Sequence, residues 1–265
     1  MSNILKKIHI ELTNRCNLHC IMCYRNSMNT PIGDMDFDLF KKIVNQIKSM
    51  QSVEEVFIHW RGEPLCYNNF VSAIEYMSDL YAKKIVFTNG LLLSATNIEL
   101  LIRNNIDELY FSIEAIDNSS YSAIRGFSSL EQVEHNIIEA INVRNKYCSK
   151  TKIKISYVLL ENNIDKVFDF FSKWEKIVDG IIIKQDSRTI VREVNTHCVW
   201  PYNGLFISYQ GVVSACCMDV NHEYIIGDTN INTLEEIFNS QKINLLRDCI
   251  NHNIAIGKCK TCKLF

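Results

Sequence analysis

Up to about residue 187 the chain alternates between two hydrophobic periods. Short apolar runs of strand length give way to stretches with an apolar residue every three or four positions, the spacing of a helix buried along one face. The first run, Ile8-His9-Ile10-Glu11-Leu12, predicts a strand. Residues 36–50 then place Phe37, Phe40, Ile43, Val44 and Ile47 at helical spacing. Further strands are expected over 53–60, 84–88, 108–113, 153–160 and 180–184, with helices over 70–81, 96–104, 130–147 and 164–174. Parallel strands joined by right-handed helical crossovers accommodate this order most economically. About six β/α units fall short of the eight that close a barrel. The expected fold is therefore α/β, an open, partial (β/α)6 barrel.

Beyond about residue 188 no further long β/α pair occurs. Cys198 and Pro201 are followed by two short expected strands around a Gln210-Gly211 turn, helices over 233–238 and about 240–249, and a final Cys259-Lys260-Thr261-Cys262. Residues 1–187 are read as the barrel and 188–265 as a small cysteine-rich subdomain packed against it.

Composition narrows the class of protein. Hydrophobic residues make up 47% and charged residues 22% of the 265, ordinary for a globular chain. A formal charge of −2 argues against a nucleic-acid partner, which would call for a basic excess. No apolar run approaches the length of a membrane span, and no charged segment followed by an apolar one opens the chain as in a signal peptide. Eleven cysteines without an export signal read as metal ligands rather than a disulfide framework, with a reducing cytoplasm as the expected compartment.

Three of those cysteines, Cys16, Cys20 and Cys23, follow the first strand with three and then two residues between them. Thiolates select iron–sulfur clusters, zinc or copper(I). One such loop can wrap three corners of a [4Fe–4S] cubane, which normally takes four cysteines, and so leave one iron open to a small chelating ligand. A partial zinc knuckle uses the same residue type. The stretch resembles the C-x3-C-x2-C signature of the radical S-adenosylmethionine (radical SAM) superfamily. That resemblance implies a partial barrel, SAM bound at the open iron, and reductive cleavage of SAM to a 5′-deoxyadenosyl radical that abstracts a substrate hydrogen atom. It also implies a flavodoxin- or ferredoxin-type electron donor. Where the family usually has an aromatic residue before the third cysteine this chain has Met22, with Tyr24 just after.

Other segments extend the resemblance, most of them at the carboxyl end of an expected strand, where α/β barrels carry their chemistry. Arg61-Gly62-Glu63-Pro64 is similar to the G-G-E-P motif that binds the SAM amino group, with Arg61 in place of the first glycine. Thr88-Asn89-Gly90 looks like the family's T-N-G. Ser112 stands where relatives bearing S-I-D-G hold SAM polar groups, with Glu114 where Asp is commoner. Arg125-Gly126 matches an R-G whose arginine pairs with the SAM carboxylate, a task suited to its planar fork. Loss of Arg125 or Glu63 is expected to act through SAM binding rather than folding. Strand 155–160 is expected to give the adenine apolar cover. His59 is expected as a packed residue, pointing either into the barrel or outward.

Cys198, Gly211 and Cys216 match the opening C-x9–15-G-x4-C of the SPASM motif, and Cys259-x2-Cys262 completes a set of four thiols. Gly227-Asp228 and the 234–238 helix also look like family features. The chain stops three residues after Cys262, so the resemblance is to the shortened "twitch" form, which holds one auxiliary [4Fe–4S] cluster. A tetrahedral zinc site would use the same four ligands. Cys66 and Cys148 read as small buried hydrophobes, Cys249 as a possible replacement ligand. Cys217, pinned beside Cys216, is a candidate hydrogen-atom donor, although on a strand it would face away from its neighbour.

The resemblance implies a small-molecule or peptide substrate. Relatives with such tails include a 2-deoxy-scyllo-inosamine dehydrogenase, radical epimerases and peptide-crosslinking maturases. The leading expectation is oxidation of a small sugar/aminocyclitol-type or peptide substrate; with no room before the first strand for a leader-binding domain, the balance shifts slightly away from peptide maturation. Epimerisation with Cys217 as donor and peptide maturation are the alternatives. A non-catalytic metal-binding module is the reading from another class.

Overall fold

The structure, a computed structural model, describes residues 3–127, 129–186 and 198–262. The expected boundary near residue 187 lies at the edge of a stretch outside the described residues. Six parallel strands alternate with helices: β1 (Lys7–Ile10), α1 (Phe37–Lys48), β2 (Glu55–Phe57), α2 (Phe70–Tyr76), β3 (Lys83–Thr88), α3 (Ala95–Arg103), β4 (Glu108–Ser112), α4 (Asn118–Arg125), α5 (Leu130–Lys146), β5 (Lys152–Leu159), α6 (Val167–Trp174) and β6 (Gly180–Gln185). After them come α7 (Trp200–Asn203), β7 (Gly204–Ile207), β8 (Val212–Ser214), β9 (Ile225–Asp228), α8 (Leu234–Phe238) and α9 (Gln241–Asn251).

The nine strands among the described residues form one sheet in the order β6-β5-β4-β3-β2-β1-β7-β8-β9. β7 lies parallel to β1, with Ile8 opposite Leu205 and Ile10 opposite Ile207. The two hairpin partners β8 and β9 then continue antiparallel. The tail therefore does more than pack against the barrel: it extends its sheet on the β1 side. β6 and β9 are the edges, so the barrel is open, as expected.

The strands divide their faces by side-chain alternation. Ile8, Ile10, Val56, Val86, Leu109, Phe111, Ile153 and Ile155 are buried in the core shared with the helices. In-register neighbours on the other face include His9, Phe57 and Phe206, whose rings stack at 4.2 and 4.3 Å. Phe87 and Tyr110 stack at 4.2 Å. This face floors the barrel with rings, and the strand ends above it carry polar groups. Both faces are covered, but only one is aliphatic.

Helix ends follow local chemistry. The Asp36 carboxylate accepts from the backbone N–H groups of Asp38 and Leu39, which starts α1. Thr233 and Glu236 form a reciprocal capping box on α8. Gly126, at φ 77°, ends α4 in the left-handed conformation that glycine adopts without penalty.

β2 is shorter than expected: the Ile58 N–H still reaches the Ile85 carbonyl at 3.3 Å, but beyond it the backbone leaves the ladder. The Glu63 N–H donates instead to the carbonyl of Arg15, 2.8 Å away. α2 likewise ends at Tyr76 rather than residue 81. Cys148, expected as a buried hydrophobe, is exposed beyond the end of α5 at φ 48°. Cys66 is half-buried. Among the described residues no helix is long and apolar enough to cross a membrane.

A fragment ending at residue 187 should lose soluble, cooperative folding, since it strips β7 from β1 and bares the apolar residues beside Leu205 and Ile207. Gel filtration and thermal unfolding of that fragment provide the check. A monomer with a sharp transition would show that the first six strands suffice.

Candidate functional site

The cysteine loop is tied shut at its root. Thr13 Oγ1 donates to the Asp34 carboxylate at 2.7 Å, Asn14 Nδ2 to the Pro31 carbonyl at 2.7 Å, and the Gly33 N–H to Asn14 Oδ1 at 2.8 Å. Within the loop, the Arg25 guanidinium reaches the Leu18 carbonyl and Asn26 the Cys20 carbonyl, each at 2.9 Å. A 3-10 turn, Tyr24–Ser27, follows Cys23 directly. These bonds satisfy the loop's polar groups internally and hold its three thiols at the barrel mouth.

The next loop is fastened to the first. A Cβ on Gly62 would stand 2.2 Å from the Thr13 carbonyl oxygen and 2.6 Å from that of Arg15, so only glycine fits. Glu63 is buried; its carboxylate accepts from Thr88 Oγ1 at 2.7 Å and from the Asn89 N–H at 2.8 Å. Burial pushes the Glu63 carboxyl up to about 7 against the pull of those donors. Asn89 Nδ2 in turn donates to Asn17 Oδ1 at 2.8 Å, which closes the circuit back to the cysteine loop.

Arg125 forms a buried ion pair with Glu114 and donates from Nη1 to Cys20 Sγ at 3.4 Å. Burial works against the cation, but Glu114 and the Cys20 thiol reverse it and raise the Arg125 pKa. Burial likewise raises the Glu114 pKa, opposed by Arg125. Arg125 and Glu63 thus also hold the fold, which the expectation of an effect through SAM alone left out.

One cavity of about 390 Å3 gathers Cys16, Cys20, Cys23, Tyr24, Gly62, Glu63, Thr88, Asn89, Ser112, Arg125 and Cys217. Met22, Val158 and His59 line it too. His59 points inward, 4.5 Å from the Phe87 ring centroid, and burial brings its imidazole down to about 3, so it is neutral.

The second thiol set lies in the tail. The Cys259 thiol is pushed up to about 12, first by burial and then by Cys216, Cys198 and Cys262, which stand within electrostatic reach of it. Cys249 instead lies on the buried face of α9. Among the described residues no three His, Cys, Asp or Glu side chains gather around a single-ion position.

Three features escaped the sequence reading. Arg61, taken as a departure from a glycine motif, is buried and bonds Glu11 through Nε at 2.7 Å and through Nη2. Its Nη1 donates to the Val220 carbonyl at 2.6 Å, and Trp60 Nε1 to the Cys217 carbonyl at 2.8 Å. The Tyr209 N–H, just beyond β7, also donates to Glu11. One glutamate thus joins the end of β1 to the Gly62 loop and to the residue beyond β7, and Arg61 and Trp60 carry the link on to the Cys217 turn. Its signal was a lone acid in an apolar strand. Second, Cys217 sits in a turn beyond β8, so the alternation that would have turned it away from the site does not apply. Third, Lys184, Gln185 and Asp186 line the far side of the cavity; a lysine closing the run Ile181-Ile182-Ile183 was the available sign.

The fold and the mouth-side thiols define an iron–sulfur α/β barrel. Residues 10–173 match the radical SAM superfamily, and residues 198–263 match an iron–sulfur cluster-binding domain, SPASM. The chain belongs to the radical SAM superfamily. Membership implies a [4Fe–4S] cluster and SAM, and the SPASM match implies auxiliary iron–sulfur binding.

The chain is 24% identical to the S-adenosyl-L-methionine-dependent 2-deoxy-scyllo-inosamine dehydrogenase of Niallia circulans, over 99% of this chain and 94% of that protein. It is 25% identical to the tungsten-containing aldehyde ferredoxin oxidoreductase cofactor-modifying protein of Pyrococcus furiosus, over 60% of this chain but only 45% of that relative's length. The crystal structure of BtrN in complex with AdoMet and 2-DOIA shares the fold, with TM-score 0.64 and 18% identity over 94% of this chain and 88% of that one.

Glu11→Gln should destabilise the protein by about 3–5 kcal/mol, because Arg61 is then left charged in the interior. The double variant Glu11→Gln/Arg61→Met should recover much of the loss. Denaturant titration measures both; equal midpoints for wild type and Glu11→Gln would contradict the assignment.

Proposed function

We propose that this radical SAM enzyme dehydrogenates a small hydroxylated substrate of the sugar or aminocyclitol type. The observation that carries the reading is the cavity shared by the cysteine loop, Glu63, Thr88, Asn89 and Cys217, which brings the SAM side and the tail to one place. Likeness to the inosamine dehydrogenase along nearly the whole chain supports it.

Cys16, Cys20 and Cys23 would hold the SAM-side cluster, their loop leaving no fourth protein ligand. Cys198, Cys216, Cys259 and Cys262 would hold the auxiliary one. When bound, these groups and SAM supply a radical that takes a hydrogen atom from substrate, with the second cluster as electron acceptor. The chain's own residues orient and enclose the reactants. Gly62 lets the backbone approach closely, Glu63 fixes the ends of β2 and β3 relative to one another, and Ser112 offers a hydroxyl at the end of β4. Arg125, paired with Glu114, keeps an Nε that has no partner among the described residues, a donor left for a ligand carboxylate. Met22, Tyr24 and Val158 offer surface for the adenine. An electron donor of the flavodoxin or ferredoxin type would deliver the reducing equivalent.

Protein reconstituted without oxygen should carry about eight irons on this ligand count. The triple variant Cys16→Ala/Cys20→Ala/Cys23→Ala should keep about four and lose all formation of 5′-deoxyadenosine. Iron and zinc analysis decides: zinc in the tail, with only four irons in the wild type, would overturn the auxiliary-cluster assignment.

A second reading, epimerisation, is favoured by one observation, the presence of Cys217 in the cavity lining. There its thiol would return a hydrogen atom to the opposite face of the substrate carbon. Turnover in deuterated water separates the two. Dehydrogenation gives a product two hydrogens lighter, formed equally well by Cys217→Ala. Solvent deuterium on an inverted carbon, lost in Cys217→Ala while SAM cleavage continues, would replace dehydrogenation with epimerisation.

A further inference from the structure

Among the described residues, most charged groups that line the cavity are bonded within the protein. Arg61 is paired with Glu11, Arg125 with Glu114, and Arg25 is bonded to a backbone carbonyl. Lys184, near the end of β6, lines the same cavity and has no ion-pair partner among the described residues. Its register opposite Val158 puts it on the inward face of the sheet. The ammonium sits 4.5 Å from the centroid of Phe87, a contact that holds a cation without neutralising it.

Its place in the fold separates it from the SAM side. The cysteine loop and the Glu63, Thr88–Asn89 and Ser112 positions follow β1 to β4, whereas β6 is the far edge of the sheet. The sheet curls so that Lys184 nevertheless lies within electrostatic reach of Cys217, on the turn beyond β8. Ser156 and Gln185 add polar groups beside it, and Trp60 adds a ring. Burial lowers the Lys184 pKa, and Glu114 and Cys217 offset this only in part. Lys184 is itself exposed, with the buried Asp186 in the same lining, so its ammonium is open to a ligand that enters the cavity.

We propose that Lys184 is a specificity-determining residue that receives an oxyanion of the substrate, a phosphate or a carboxylate, between β6 and the Cys217 turn. The proposal rests on the reading of this cavity as the substrate site and narrows the hydroxylated substrate to an acidic one. It sets this chain apart from an enzyme whose substrate is cationic at that position, since an ammonium there would meet Lys184 directly.

The test uses SAM-loaded, anaerobically reconstituted holoenzyme and calorimetric binding of four hexoses: glucose 6-phosphate, glucuronate, glucose and glucosamine. At least one anionic hexose should bind about tenfold or more tightly than glucose, the value of one charge-assisted hydrogen bond. Lys184→Met should erase that preference and Lys184→Arg should retain it, both with wild-type SAM affinity. If neither anionic hexose is preferred, if glucosamine binds best, or if Lys184→Met weakens SAM itself, the assignment is wrong; in the last case the lysine serves SAM. The dehydrogenase reading fails separately: anion preference together with an unoxidised product would leave the Lys184 subsite standing and discard dehydrogenation.

Discussion

The buried pair of Glu11 and Arg61 is the constraint on which the arrangement of this protein turns. Replacement of such a pair by apolar residues is often neutral or stabilising, so its net contribution to stability is small. What it supplies is position. Glu11 closes β1, Arg61 belongs to the Gly62 loop, and the Val220 carbonyl that Arg61 also binds lies four residues beyond Cys216. The Tyr209 N–H adds the strand that joins tail to barrel. A charge buried without its partner is costly, so the four segments share one low-energy arrangement. The Trp60 indole, stacked on the Arg61 guanidinium at 4.5 Å, carries that arrangement to the Cys217 carbonyl.

The same economy shapes the cavity. Glu63 is held by Thr88 and Asn89, Glu114 by Arg125, and the thiol loop by its own backbone bonds. Groups that would otherwise need water are satisfied inside the protein, and this leaves a rigid mouth in which orientation does not have to be established when ligands arrive. Beneath it the ring layer of His9, Phe57 and Phe206 forms an apolar floor, with both His9 and His59 held neutral by burial. Among the described residues Lys184 lines this cavity without an ion pair of its own.

Strand and helix alternation, the cysteine loop and the strand-end motifs were legible in the chain because each is local. Hydrophobic period fixes the element type, and ligand spacing fits a loop of a few residues. The Asp36, Thr233 and Gly126 helix ends are local in the same sense. β2 was overestimated because its apolar run continues past Ile58 although its ladder does not: the Arg15 carbonyl, far off in sequence, draws the Glu63 N–H away. α4 was missed because residues 118–125 are rich in serine, and the helix is held by the Asp117 cap and by burial of Tyr121 and Ile124.

The sequence by itself determined an open β/α barrel and a thiolate ligand loop, and its motifs resembled the radical SAM family closely enough to imply the class, since periodicity and motif spacing involve residues close along the chain. Tertiary structure alone decided that β7 pairs with β1, that Arg61 joins a loop to a tail instead of imitating a glycine, and that Arg125 meets Glu114 and Cys20 together. It also brought Lys184 and Cys217 to opposite sides of one cavity. Each of these depends on which strands become neighbours and on how the sheet curls. Burial then sets the energy: the same charge that water would tolerate anywhere on a surface must, in the interior, find a partner contributed by a distant part of the chain.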